Sequence, residues 1–313
     1  MFRLGILALC AALLLGLQSP TFAQTSAPLT TLRLGGVPVD DVMPVLYAQR
    51  EGLFAKVGLN VTMQPMTGGA IAAAVLSGNL DLGKSSIIAI IQAHAHGVPL
   101  TLVAPSAVYD PKNPDAVLAV NGDSTIASAK DLIGKSVGIG SLGDVSNVAV
   151  EAWLAKNGVD WHSVQYVETV IPQTPQLLEQ RRVDAAVLIK PFATEPVSSG
   201  KAKIIALPYD AIAPRFLESV WYSTRSYLDQ HRSAMLAFQR VVAQASVYTN
   251  AHPDQTVDLL ASFTRITPEQ AARVPRIVTG TTLNPREIQP IIDVMVRNHI
   301  LEKGFDAREI IWP

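Results

Sequence analysis

The chain has 313 residues, 49% of them hydrophobic, and its 25 lysines and arginines against 26 aspartates and glutamates leave a formal net charge of −1. That balance removes the electrostatic case for nucleic acid or an anionic membrane surface as partner, and the hydrophobic content calls for packed layers rather than disorder. A single cysteine, Cys10, excludes a disulfide framework and a thiolate metal cluster.

The N-terminus reads as an export signal. Arg3 gives a short positive start, Leu4 to Leu17 is an apolar or glycine run, Pro20 breaks it, and Thr21-Phe22-Ala23 offers small residues where a signal peptidase reads. The run falls short of the roughly 20 apolar residues that a spanning helix needs. Cleavage is expected after Ala23, so residues 1–23 are a signal peptide, Cys10 is discarded and the exported chain begins at Gln24. Leu9, not a small residue, precedes Cys10, which argues against a lipoprotein site. About 290 residues remain, enough for two domains of ordinary size.

From there strands and helices alternate. Thr31 to Val37 reads as a strand, Pro44 opens a helix that stops by Gly58, and Val61 to Met63 is a strand. Thr67-Gly68-Gly69 leads into a helix to Ser77, Leu80 to Gly83 is a strand, Ser85 or Ser86 caps a helix to His96, and Leu100 to Val108 is a strand. The plan restarts with Ala116 to Val120, a capping box at Ser128 and Asp131, a strand at Ser136 to Gly140, and a helix from Ser146 to Asn157. Strands at Val164 to Val167, Ala185 to Ile189 and Lys203 to Leu207, with a helix at Thr174 to Gln180, complete a second sheet. Beyond Leu228 the chain is helical, with capping boxes at Thr267 to Gln270 and Asn284 to Glu287.

This is an α/β pattern in two lobes of one plan. Lobe 1 is expected at residues 30–118 plus 222–313 and lobe 2 at 119–221, with Ala116 to Val120 and Ser219 to Thr224 as the two crossovers of a hinge.

In open α/β sheets ligands bind beyond the carboxyl ends of the strands, near helix N-termini. That rule selects Val39-Asp40-Asp41, Thr67-Gly68-Gly69 and Lys84-Ser85-Ser86 in lobe 1, and Gly140 to Ser146 and Lys190 to Phe192 in lobe 2. Hydroxyls, glycines and lysines at helix starts suit an acidic or polar small ligand, and Lys84 and Lys190 hold equivalent places in the two lobes. Gly138 to Gly143 also matches the dinucleotide pattern G-x-G-x-x-G, with Asp160 beyond it, but an anion nest explains so short a match equally well. His94 and His96, two apart on a helix, point to different sides, and no metal-ligand spacing or nucleophile elbow is found.

The stretches PVLYAQREGLFAKVGLNVTMQPMTGGAIAAAVLSGNLDLGKSS, DLIGKSVGIGSLGDVSNVAVEAWLAKNGV and LLEQRRVDAAVLIKPFA resemble the NMT1/THI5-like and sulfonate/taurine/nitrate-binding group of ABC-transporter solute-binding proteins. The resemblance implies a type II periplasmic-binding fold, two α/β lobes joined by a two-stranded hinge. It implies a periplasmic monomer without catalytic residues or cofactor, which closes on a small molecule and docks to a permease driven by a cytoplasmic ATPase. By position the family's pocket falls on Val39, Asp40, Thr67, Gly68, Ser85, Ser86, Ser141, Leu142, Asp144, Ser146, Lys190 and Pro191. The expected ligand is an anionic sulfonate or carboxylate, held by the helix start at Ser141 to Ser146 and by Lys190. The alternatives are binding of a pyrimidine or thiamine precursor, pyrimidine-forming catalysis, for which the cysteine-rich motif of the eukaryotic relatives is absent, and a chemosensory binder.

Overall fold

The computed structural model describes residues 29–313, so the expected signal peptide and Gln24 lie outside the described residues. The chain runs through β1 (Thr30–Gly36), α1 (Met43–Arg50), β2 (Leu59–Pro65), α2 (Gly68–Leu76), β3 (Leu82–Ser86), α3 (Ile87–Ala95) and β4 (Leu100–Pro105). After β5 (Val108–Tyr109) come β6 (Ala116–Asn121), β7 (Ser136–Ile139), α4 (Val145–Lys156), β8 (Gln165–Glu168), α5 (Thr174–Glu179), β9 (Ala185–Ile189), α6 (Thr194–Ser198) and β10 (Ala202–Ala206). The return is β11 (Phe216–Leu217), followed by β12 (Ser219–Thr224) and the helices α7 (Arg225–Gln230), α8 (Arg232–Ala251), α9 (Val257–Thr264), α10 (Pro268–Arg273) and α11 (Pro285–Arg297).

Local chemistry sets these boundaries. Gly58 and Gly78 take positive φ angles of 79° and 73° just past helical turns, a conformation that costs glycine little. Ser86 caps α3 through Ile88 N–H, Asp144 caps α4 through Asn147 N–H, and Thr267 with Gln270 forms a reciprocal box at α10. At Asn284 only half of the expected box forms: the side chain accepts from Arg286 N–H.

The strands make two five-stranded sheets, β2-β1-β3-β12-β4 and β10-β6-β9-β7-β8. Each is parallel from one edge to its central strand, β1 with β2 and β3 in one and β7 with β8 and β9 in the other. Each also holds one antiparallel strand contributed just after a crossing, β12 between β3 and β4, and β6 between β9 and β10. The expected crossovers are therefore corrected. Ala116 to Val120 and Ser219 to Thr224 are largely buried runs that pair on both sides inside a sheet, and the crossings belong to β5 and β11, which pair only with each other. The boundaries placed at 118/119 and 221/222 fall within strands.

One face of the first sheet, with Leu32, Leu34, Leu82 and Trp221, packs on Val45 and Ala48 of α1 and Phe238 and Val241 of α8. A second apolar cluster takes in Ile71, Ile87, Ile91 and Ile292 and continues through Tyr109 and Phe216 to Val145 and Val148 of α4, so the two lobes share a core along one side.

Lys84 was expected in a loop, but β3 runs to Ser86 and places it inside the sheet, opposite Gly36 on one side and Trp221 on the other. Its ammonium pairs with Asp41, both residues being 3% exposed. Ser219 also donates to the Asp41 carboxylate, and Ser106 Oγ donates to the Asp41 carbonyl at 2.9 Å. The pair ties the β1–α1 turn to β3 and β12. Leaving one buried charge alone costs about 3–5 kcal/mol, whereas replacing both is far cheaper. Lys84→Met is expected to lose that much stability in urea denaturation, and Lys84→Met with Asp41→Asn to recover most of it.

Candidate functional site

In lobe 1 the β1–α1 turn buries Val39 and Asp40. The Asp40 carboxylate pairs with Arg276 at 2.9 Å and accepts Ile277 N–H at 2.7 Å, tying the turn to the segment between α10 and α11. Burial pushes Asp40 up to about 6 against the opposing pull of Arg276. Ser85 is buried in β3, Gly68 starts α2, and Thr67 ahead of it is exposed with no capping hydrogen bond.

In lobe 2 the β7–α4 turn closes on itself. Gly140 N–H donates to Ser146 Oγ at 2.9 Å, Ser146 Oγ donates to Asp144 at 2.6 Å, and Asn147 N–H donates to the same carboxylate at 3.0 Å. Leu142 N–H meets Glu168 at 2.7 Å and Gly143 N–H meets Asn147 Oδ1 at 2.8 Å. The donors expected to hold a ligand's acidic group are thus largely engaged by Asp144, Glu168 and neighbouring side chains. Gly140 is required here, since a Cβ would stand 2.5 Å from Asp144 Oδ2. The G-x-G-x-x-G pattern is accordingly a turn built around the chain's own carboxylate, and burial raises Asp144 above the usual range.

The lobes meet at these turns. Ser86 Oγ, the cap of α3, also accepts Val145 N–H at 3.2 Å from the start of α4. Gly143 lies so close to Gln92 of α3 that a Cβ would come within 2.9 Å of its amide. Leu142 is 62% exposed and Ser141 half-buried, at the edge of this contact.

Lys190, buried at the end of β9, donates to Asn113 Oδ1 at 2.6 Å, while Asn113 Nδ2 donates to the Arg276 carbonyl at 2.6 Å. One amide on the first crossing therefore holds a side chain of lobe 2 and the backbone of lobe 1 together. Burial pulls Lys190 below its ordinary value, with Asp115 and Asp40 acting in the opposite direction. Lys190 precedes Pro191 through a cis peptide bond.

Beside it an interlobe cavity of about 440 Å³ opens. Pro175, Pro191, Phe192 and Thr194 line it from lobe 2, and Ile266, Gln270 and Arg273 from lobe 1. The structure thus draws Asp40 and Lys190 toward one junction, joins Ser86 to the Asp144–Ser146 turn at another, and leaves Thr67 apart. Sequence reasoning did not find Asn113, Arg276 or Arg273. Phe192 lay in a selected loop, while those three belong to segments that no strand-end rule picks out. Among the described residues, no group of three or more His, Cys, Asp or Glu side chains is placed to hold a metal ion.

Comparison with known proteins agrees with this architecture. The alkanesulfonate-binding protein SsuA of Xanthomonas axonopodis pv. citri, solved with MOPS bound, superposes with a TM-score of 0.73 over 92% of this chain and 99% of that one, at 18% identity. The two lobes and paired crossings are those of the type II periplasmic-binding fold. A protein of Brachyspira hyodysenteriae, provisionally named an ABC transporter periplasmic binding protein, is 24% identical over 251 residues, 77% of this chain and 71% of its own. A Saccharomyces cerevisiae 4-amino-5-hydroxymethyl-2-methylpyrimidine phosphate synthase is 29% identical over 117 residues, 37% of this chain and 34% of that protein. The model of the NMT1/THI5-like family matches residues 40–256, most of the chain, and the chain belongs to that family.

Proposed function

We propose that this protein is the periplasmic substrate-binding component of an ABC importer, which captures a small anionic organic molecule of sulfonate or carboxylate type between its lobes and delivers it to a permease with a cytoplasmic ATPase. The observation that carries the reading is the interlobe cavity of about 440 Å³, walled by both lobes beside Lys190 and Pro191. That volume suits a small ligand, and a site with walls on two lobes joined by two short crossings is suited to hinge closure. The names of the Brachyspira relative and of the sulfonate-binding structure support the same role.

The geometry favours the Lys190 side of the cleft over the α4 turn as the anion's seat. The α4 donors are largely engaged, whereas Lys190 is a buried cation held by a neutral amide and adjoins Pro191 of the cavity wall, on which Arg273 supplies a cation and Glu195 an acid. An anion beside Lys190 offsets the burial that lowers its pKa. Val39, Asp40, Ser85 and Ser86 then support the junction, and Pro191 lines the ligand. The pyrimidine reading rests on the yeast synthase match, and the chain's single cysteine is Cys10, within the expected signal peptide.

Ligand-induced melting shifts across sulfonates, carboxylates, nitrate, aromatic acids and pyrimidines identify the ligand, because a ligand at 100 times its Kd adds about 2.7 kcal/mol. A hit limited to pyrimidines, with turnover, moves the assignment to the enzyme reading. Small-angle scattering is expected to show contraction on saturation with the ligand. Calorimetry on Lys190→Met is expected to show a loss of about 1.5–3 kcal/mol, ten-fold to more than a hundred-fold in affinity. A solvated surface pair would lose well under about 1 kcal/mol, and that result removes Lys190 from the site.

A further inference from the structure

Each passage of the chain between the lobes carries one acid where it enters a sheet. Asp115 directly precedes β6, and Glu218 stands between β11 and β12. Asp115 is 3% exposed and Glu218 7%. Asp115 Oδ1 and Oδ2 and Glu218 Oε2 are buried with no hydrogen-bond donor supplied to them, and the two carboxyls lie within hydrogen-bonding reach of each other. Their backbones are fixed: Glu218 N–H donates to the Ala107 carbonyl at 2.9 Å, and Lys190 N–H donates to the Asp115 carbonyl at 2.8 Å. The backbones that carry the two acids are thus anchored to the first crossing and to the turn that holds Lys190.

Two carboxylates in contact inside a protein do not both ionise, and a proton on one is the donor that the other lacks. We propose that Asp115 and Glu218 hold one proton between them and that this proton locks the junction of the two lobes. The surrounding charges leave room for it. The charges of Asp41 and Lys190 act on Asp115, those of Asp41 and Lys84 act on Glu218, and both acids raise the phenols of Tyr109 and Tyr209. Asp41 and Lys84 neutralise each other, and Lys190, whose bond to Asn113 is to a neutral amide, balances one negative charge of the pair. No cation is left over to balance a second negative charge. Burial first and Asp115 second push Glu218 well above the carboxylate range, and burial raises Asp115 too, so the proton belongs to the pair. Loss of the proton sets two like charges against each other at the pivot, and separation of the crossings or entry of water relieves them.

The folded protein therefore keeps a proton that the unfolded chain releases above about pH 4.5, the ordinary glutamate value. Stability is full below that value and falls as pH rises toward the pair's own pKa. Urea unfolding of the ligand-free chain over a pH series tests this, with Glu218→Gln as comparison, since glutamine still donates to Asp115 but does not titrate. The wild-type unfolding constant is expected to rise with pH more steeply than that of Glu218→Gln, by up to about ten-fold per pH unit, the signature of one proton. Asp40, raised to about 6, and Glu151, raised to about 7, act with the same sign in both proteins and cancel in the difference. Equal slopes overturn the shared proton. Over the same series the wild type is expected to expand in small-angle scattering at high pH and Glu218→Gln to keep its dimensions; equal behaviour overturns the lock. Should Glu218→Gln not fold, infrared spectra of the wild type and of an Asp144→Asn, Glu151→Gln variant decide: a carboxylic-acid carbonyl band persisting above pH 7 in both supports the pair, and its absence from the variant refutes it. None of these readouts involves the ligand, so their failure leaves the transport reading intact.

Discussion

Taking an ion out of water costs several kcal/mol even after relaxation, and a buried charge survives only with a partner that gives most of that back. The junction of the two lobes is organised around this constraint. Asp40, Asp41, Lys84, Asp115, Lys190 and Glu218 are all buried there, and each is compensated by a residue from a different part of the chain. Arg276 answers Asp40 from 236 positions away along the chain, Lys84 answers Asp41 from across the first sheet, and Asn113 holds Lys190 from the first crossing. Apolar packing alone would fix the lobes as two layers of general complementarity. Ionic and hydrogen-bond partners fix them in one register, because a shift of a few ångströms leaves a charge alone.

The same constraint gives the cleft two unlike sides. Where α3 meets α4, apolar contacts run continuously from Ile87 and Ile91 to Val145 and Val148, and Ser86 spends one hydroxyl oxygen on helix starts from both lobes. Where α6 faces α10, the walls stand apart and Phe192 and Arg273 border open space. A ligand on the second side would meet surface not yet committed to internal partners, whereas on the first it would have to displace bonds already made. Position along the cleft therefore follows from which donors and acceptors the fold has consumed.

Signals that act within a few residues were legible in the sequence. Caps at Ser86 and Thr267, the glycine stops at Gly58 and Gly78, and the strand Ala185–Ile189 all follow from neighbours along the chain. The two-sheet plan was legible because it repeats. The crossings were not, since Val108 reads as the tail of the strand from Leu100 and Phe216-Leu217 carries no local signal, and only the pairing of β5 with β11 distinguishes them. Lys84 was misplaced for a related reason. A lysine after a strand reads as a loop residue unless its partner is known, and Asp41 lies 43 positions away.

The β7–α4 turn shows why a short motif cannot name a ligand. Glycines at 138, 140 and 143 do what such glycines do in nucleotide-binding turns: Gly138 lets the strand pack on Ala186 and Thr169, Gly140 admits an oxyanion close to the backbone, and Gly143 turns the chain at a φ of 73°. The oxyanion admitted is Asp144, four residues on. A helix start with free N–H groups attracts any acceptor within reach, and one on the same chain is always present at high effective concentration. The competition is decided by the identity of the residue at the cap. With aspartate there the nest is filled from within, and its donors are no longer free for an acceptor from outside.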